Sequence, residues 1–247
     1  MGYDYKSGKK RVDDILSGKI EIVESGKLPS DDNFTFDNAY HSWVMAIFVD
    51  IRDSTSLMAK DDQEYVAKVV RSFTSEIIEI LRGDDREREL GIRGDCVYAI
   101  YTTPYKSDVY EVFNKTAWIN TYLNMLNALL RKHGYEKIKA GIGVALGNDH
   151  VIKAGRKGTG INSTVWMGEA VSKAAKLSSY GDKIVGSRIV LSSLVYNNII
   201  EKYKEDHPDK NVEGWFHSSE SIPYYGAKYC SVIMTDMDNW IEEGMPD

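Results

Sequence analysis

The chain has 247 residues, 43% hydrophobic and 28% charged, the balance of an ordinary soluble protein with one substantial core. A formal net charge of -6 argues against non-specific affinity for nucleic acid or anionic lipid. No apolar stretch reaches membrane-spanning length and the first residues lack a signal-peptide core. A cytoplasmic location without membrane insertion is therefore expected.

Residues 1–41 are polar, with Lys-rich and Asp-rich patches, and read as an N-terminal arm with some helix around Arg11 to Ser17. From Ser42 a regular alternation begins, and the folded domain is expected over 42–247. Strands are predicted at 43–50, 88–93, 96–102, 137–146, 150–155, 185–191 and 229–235. Between them, Tyr65, Val66, Val69, Val70, Phe73, Ile77, Ile80 and Leu81 form a helical apolar stripe. A second stripe runs from Val109 to about Lys132. A third helix starts near Gly168 and stops at Gly181, and the polar stretch from Lys202 to Ser221 reads as a loop. Cys96 and Cys230 fall inside predicted strands, with no Cys or His cluster nearby, and read as buried thiols. The order of elements predicts an α+β fold, a ferredoxin-like β-α-β-β-α-β core with extra strands and helices on one face. Such a fold by itself says little about function.

Two aspartates carry the chemistry. Asp50 ends the apolar strand 43–50, where a carboxylate is held at the edge of the sheet; alone it reads as a strand terminator that caps a turn. Asp95 lies in Arg93-Gly94-Asp95-Cys96, between two short strands, and Gly94-Asp95 has the composition of a hairpin bend. In a ferredoxin-like sheet the end of the first strand and this bend lie side by side. Two carboxylates converging there call for a cation, and carboxylate oxygens with phosphate suit two divalent ions, Mg²⁺ or Mn²⁺.

Phe48-Val49-Asp50-Ile51-Arg52-Asp53-Ser54-Thr55 resembles the metal-binding strand end of the class III adenylate and guanylate cyclases, and Arg93 to Ala99 resembles their Gly-Asp hairpin. Ala140 to Gly147 resembles the strand before their second hairpin, and Val151 to Gly155 its return. Trp166 to Leu177 resembles the helix that carries their transition-state residues. These motifs occur in the family's order over roughly residues 43–190, and the collinearity is more specific than any one motif. The resemblance makes 42–247 the catalytic domain and implies a nucleoside triphosphate substrate. It also implies metal ligation by Asp50, Asp95 and the backbone carbonyl of Ile51, and in-line attack of the ribose 3′-hydroxyl on the α-phosphate with loss of pyrophosphate. It further implies a head-to-tail homodimer whose active sites lie at the interface.

Departures from the family's pattern bear on the base. Gly91 stands where a lysine or glutamate would read a purine, and Val165 where the second base-reading side chain would stand. Neither makes the polar contacts that select adenine or guanine. On the helix, Ser172 replaces the family's Asn and Lys176 its Arg; Ser172 can still donate to the ribose and Lys176 still offers charge to phosphate, without the guanidinium fork. Arg52 and Arg93 are the expected contacts to phosphate or base; Lys153, Arg156 and Lys157 are further phosphate contacts, and Trp166 and Tyr98 read as core aromatics. Retained metal aspartates without purine readers are similar to the bacterial pyrimidine cyclases of Pycsar anti-phage systems. That resemblance implies UTP, or CTP, as substrate and a cyclic product read by a separate effector protein. An adenylate cyclase with unusual base recognition and a silent nucleotide-sensing module are the alternatives.

Overall fold

The computed structural model describes residues 2–26, 28–30, 33–60 and 62–246. Its elements in chain order are α1 (Tyr5–Ser17), β1 (Glu21–Glu24), β2 (Asn38–Ile51), α2 (Ser54–Met58), α3 (Gln63–Leu81), β3 (Glu87–Arg93), β4 (Cys96–Thr102) and α4 (Lys106–Lys132). There follow β5 (Ala140–Gly155), β6 (Asn162–Met167), α5 (Glu169–Ser178), β7 (Ile189–Leu191), α6 (Ser193–Asp206), β8 (Phe216–His217), β9 (Lys228–Cys230) and α7 (Thr235–Glu242). The run β2-α3-β3-β4-α4-β5 is the expected β-α-β-β-α-β core. Its strands lie in the order β3-β4-β2-β5, continued by β7, β9 and β8.

Side chains of β2 alternate between two cores, as a strand's period of two requires. Met45, Ile47, Val49 and Ile51 pack with Phe73 and Ile77 of α3, Phe113 and Leu123 of α4 and Ile199 of α6. Val44 and Ala46 face the other way, against Ala170, Ala174 and Leu177 of α5 and against Leu28 and Phe34. Helices thus cover both faces of the sheet, where the sequence predicts one. The short helix α5 buries Ala170, Ala174, Leu177 and Ser178, mostly small side chains, and fits close to the strands.

Several elements differ from their predicted limits. β2 begins at Asn38, because Glu21 to Glu24 pair parallel with Asn38 to His41. Gly147-Asn148-Asp149, which reads as a bend, is continuous strand: Asn148 pairs with Trp43, Asp149 with Ser42 and His150 with His41. Residues 140–155 are therefore one long strand, with 137–139 outside it, and the return of the second hairpin is β6. The stretch from Lys202 opens as the last turn of α6, whose first turn is capped by Ser192, its hydroxyl accepting from Val195 N. β7 and β9 are short, and the predicted strand end at 235 is instead the start of α7. Both thiols are free: Cys230 is buried, Cys96 half-buried, and burial pushes each up to about 12.

Candidate active site

Asp50 lies on the same face of β2 as Phe48 and Ala46, the face that α5 covers. Its register partners are Cys96 on one side and Gly141 on the other. The β3–β4 hairpin turns at Gly94, whose φ of 64° is open to glycine at little cost, and so sets Asp95 beside the end of β2. Burial, then the Asp95 charge and a hydrogen bond from its side chain, push the Asp50 carboxyl above the usual carboxylate range, while Arg52 pulls it down. The two aspartates singled out from sequence are therefore brought together.

Arg52 is turned inward. Its Nη2 donates to the Asp50 carboxylate at 2.8 Å and to the Asp50 carbonyl at 3.1 Å, with the side chain 6% exposed. Its backbone N–H donates to Lys139 O, and its buried Nε has no hydrogen-bond partner among the described residues. Room for the guanidinium comes from Gly141, where a Cβ would sit 3.0 Å from Arg52 Nη2 and 2.0 Å from Ser178 O. One cation thus pairs with Asp50, with Asp95 beside it; were the Ile51 carbonyl to join the two carboxylates, they would make an all-oxygen donor set. That set fits hard divalent ions such as Mg²⁺ or Mn²⁺. Among the described residues no group of three or more His, Cys, Asp or Glu side chains is placed to hold a metal ion.

The remaining predicted residues fall into two places. Gly91 sits in β3 opposite Tyr98, and a Cβ there would lie 2.8 Å from the Tyr98 hydroxyl, so the glycine is what lets that ring lie across the strand. Arg93 is exposed beside the bend. Val165, 38% exposed, leaves β6 on the opposite face from Trp166. Lys153 donates to Phe34 O, and Arg156 and Lys157 are exposed near the β5–β6 turn.

Ser172 and Lys176 lie four residues apart on the exposed side of α5, which is one face of a helix. Ser172 Oγ donates to Gly168 O at 3.1 Å; Lys176 forms no ion pair with any described residue, whereas Lys173 is paired with Glu169. No hydrogen bond or ion pair joins Ser172 or Lys176 to the aspartates among the described residues. α5 is positioned by a group not singled out from sequence: the buried Asp149 accepts from Glu169 N at 3.0 Å and Ala170 N at 3.1 Å. A Cβ at Gly168 would fall 2.1 Å from Asp149 Oδ1, so this cap requires glycine there. The usable signal is a Gly-x-Asp in a strand facing a Gly-Glu helix start.

No family model matches the chain. It is 46% identical over all of its length to a uridylate cyclase of Treponema porcinum, of which it covers 84%. It is 32% identical over 98% of its length to a uridylate cyclase of Gulbenkiania mobilis, of which it covers 96%. Among solved structures, a class III adenylyl cyclase-like ATP-binding protein from Pseudomonas aeruginosa superposes on 95% of the chain with a TM-score of 0.65 at 17% identity. The chain spans less than half of that protein, 48%. The adenylyl cyclase CyaB from P. aeruginosa superposes on 68% of the chain, TM-score 0.56 at 19% identity, and 83% of it is covered. No helix among the described residues is long and apolar enough to cross a membrane.

Proposed function

The chain belongs to the class III nucleotide cyclase family, and from that premise we propose that it converts UTP to 3′,5′-cyclic UMP and pyrophosphate. The observation that carries this reading is the Asp50–Asp95 carboxylate pair at the sheet edge of a chain 46% identical to a uridylate cyclase. Two divalent ions on Asp50, Asp95 and the Ile51 carbonyl would supply positive charge against the triphosphate and acidify the ribose hydroxyl. In the reaction a bond forms between the ribose O3′ and the α-phosphorus while the bond from that phosphorus to the bridging oxygen breaks, pyrophosphate leaves with that oxygen, and the hydroxyl proton passes to solvent. Ser172 donates to the ribose, and Lys176 meets charge developing on the phosphate. Arg52 offsets the Asp50 charge when no metal is bound, and Arg93 approaches the nucleotide from the hairpin.

Ser172 and Lys176 are exposed and unengaged with the aspartates, which supports completion of each site across a head-to-tail homodimer. In that arrangement one copy supplies the carboxylates and the other supplies α5. The product acts as a second messenger in antiviral defence, read by a separate effector. Incubation with UTP, CTP, ATP and GTP in one Mn²⁺-containing mixture tests the reading. Cyclic UMP is the expected main product; a dominant purine product refutes it, and cyclic CMP moves the assignment to the other pyrimidine.

A further inference from the structure

On the sheet face that holds Asp50, an aromatic wall stands beside the carboxylate pair. Phe48 and Tyr98 are register partners one pleat back from Asp50 and Cys96, and their rings stack with centroids 5.2 Å apart and planes 15° apart. The Tyr98 hydroxyl donates to Glu89 Oε1 at 2.6 Å, and the indole N–H of Trp166, reaching over from β6, donates to Glu89 Oε2 at 2.6 Å. Gly91 lies under the Tyr98 ring, and a Cβ there would meet its hydroxyl at 2.8 Å and ring carbons at 2.9 Å. The space that a side chain at 91 would claim is therefore filled by Tyr98, which Phe48, Glu89 and the β3 backbone hold from three directions.

This arrangement has two chemical consequences. A ring clamped in that way cannot rotate aside to admit a larger base. With its proton committed to the Glu89 carboxylate, the Tyr98 oxygen offers only lone pairs to anything that approaches it. Burial and that hydrogen bond push the Tyr98 phenol up to about 12, so the group is a neutral phenol at physiological pH. A lone pair fixed there accepts from the imide N–H of uracil; cytosine presents an acceptor at the same ring position.

We propose that Tyr98, oriented by Glu89, is the specificity-determining residue that limits the base to a single ring and reads the imide N–H of uracil. This rests on the nucleotide cyclase reading of the same site. The test compares the parent, Tyr98→Ala and Tyr98→Phe for products from equimolar UTP, CTP, ATP and GTP. Binding of non-cyclisable UTP, CTP and ATP analogues is followed by calorimetry. Tyr98→Ala opens the wall and raises the purine-to-uridine ratio by at least about 10-fold. Tyr98→Phe keeps purine rejection but lowers the UTP-to-CTP preference by about 10-fold, the loss of one oriented hydrogen bond. An unchanged purine-to-uridine ratio in folded Tyr98→Ala overturns the proposal, as does an unchanged UTP-to-CTP preference in Tyr98→Phe. If Tyr98→Ala does not fold, Tyr98→Phe decides. Should the parent make no cyclic nucleotide, the function fails on its own account, while the calorimetric ratios still judge Tyr98.

Discussion

The Arg52 guanidinium donates to the Asp50 carboxylate at 2.8 Å and is almost wholly buried beside it, so one internal cation faces two carboxylates at the strand end. Burial and Asp95 nevertheless hold the Asp50 carboxyl above its usual range, so the pair remains short of positive charge. A carboxyl raised on folding binds more protons in the folded than in the unfolded state. Without metal, stability then falls as pH rises from the ordinary value of 3.8 through the raised one. A divalent ion reverses that penalty. At 100 times its Kd the ion adds about 2.7 kcal/mol, or roughly 5–10 °C in Tm for a chain of this size. Thermal scans of the parent in chelator and in Mn²⁺ are expected to show this rise, and scans of Asp50→Asn and Asp95→Asn to lack it. In chelator Asp50→Asn is expected to be at least as stable as the parent; a lower Tm would show that the ion pair with Arg52 dominates. Both variants are expected to lose cyclic product by about 100-fold or more.

Asp149 joins the long strand β5 to the start of α5, and its carboxylate satisfies two N–H groups that a helix leaves open. Asp149→Ala should cost about 1–2 kcal/mol, lowering Tm by roughly 2–8 °C. Because α5 carries Ser172 and Lys176, turnover should fall further than stability alone explains, with kcat changing more than KM. Asp149→Asn keeps an acceptor and should recover most of both. Equal kcat in parent and Asp149→Ala would remove the positioning role.

How much of this was legible in the sequence follows from how local each signal is. Asp50 follows an unbroken apolar run and Asp95 follows the glycine of a short bend, so both announce themselves within a few residues. The stripes of α3 and α4 are equally local. Asp149 is different: Gly147-Asn148-Asp149 has turn composition, and only pairing with Trp43 and Ser42 together with a helix end twenty residues on keeps it in a strand. Glu89 sits in a run of alternating charges, Glu87-Arg88-Glu89, that looks like a solvated edge. Its partners lie 9 and 77 residues away, beyond any window of periodicity. Placing α5 on the second face likewise depended on glycines 141 and 143 admitting it, a steric fact no hydropathy pattern records.

His41 Nδ1 lies 2.8 Å from Glu24 Oε1 and its Nε2 3.2 Å from the Asn148 carbonyl, so both ring nitrogens face acceptors and the doubly protonated ring fits best. The Glu24 hydrogen bond, opposed by burial, raises His41 above the ordinary 6.5. A histidine raised on folding contributes stability that is complete below 6.5 and is lost as pH rises through the folded value. Between about pH 5.5 and 8.5 the Tm of the parent should include a component that declines with pH and that Glu24→Gln abolishes. The imidazole C–H resonance of His41 should titrate at higher pH in the parent than in that variant. Since Glu24 ends β1, hydrogen exchange of β1 amides should quicken in step with the loss.

Gly143 provides the sharpest steric test of how α5 lies on the sheet. A Cβ there would fall 2.0 Å from Ala174 O and 2.2 Å from Ser178 N, backbone atoms that cannot swing aside as a side chain would. Gly143→Ala must therefore lift α5 bodily, at a cost of about 3 kcal/mol and a Tm loss of roughly 6–12 °C. Gly94→Ala is the control: its φ of 64° strains any residue with a Cβ, but no atom of the described residues lies within 4 Å of the added one. That change should cost about 1 kcal/mol, the conformational penalty alone. If the two variants lose the same Tm in calorimetry, close packing of α5 on β5 is not what Gly143 secures. If Gly143→Ala loses far more, and its residual kcat falls while metal binding to Asp50 and Asp95 persists, then the helix position and the carboxylate pair are separable parts of one site.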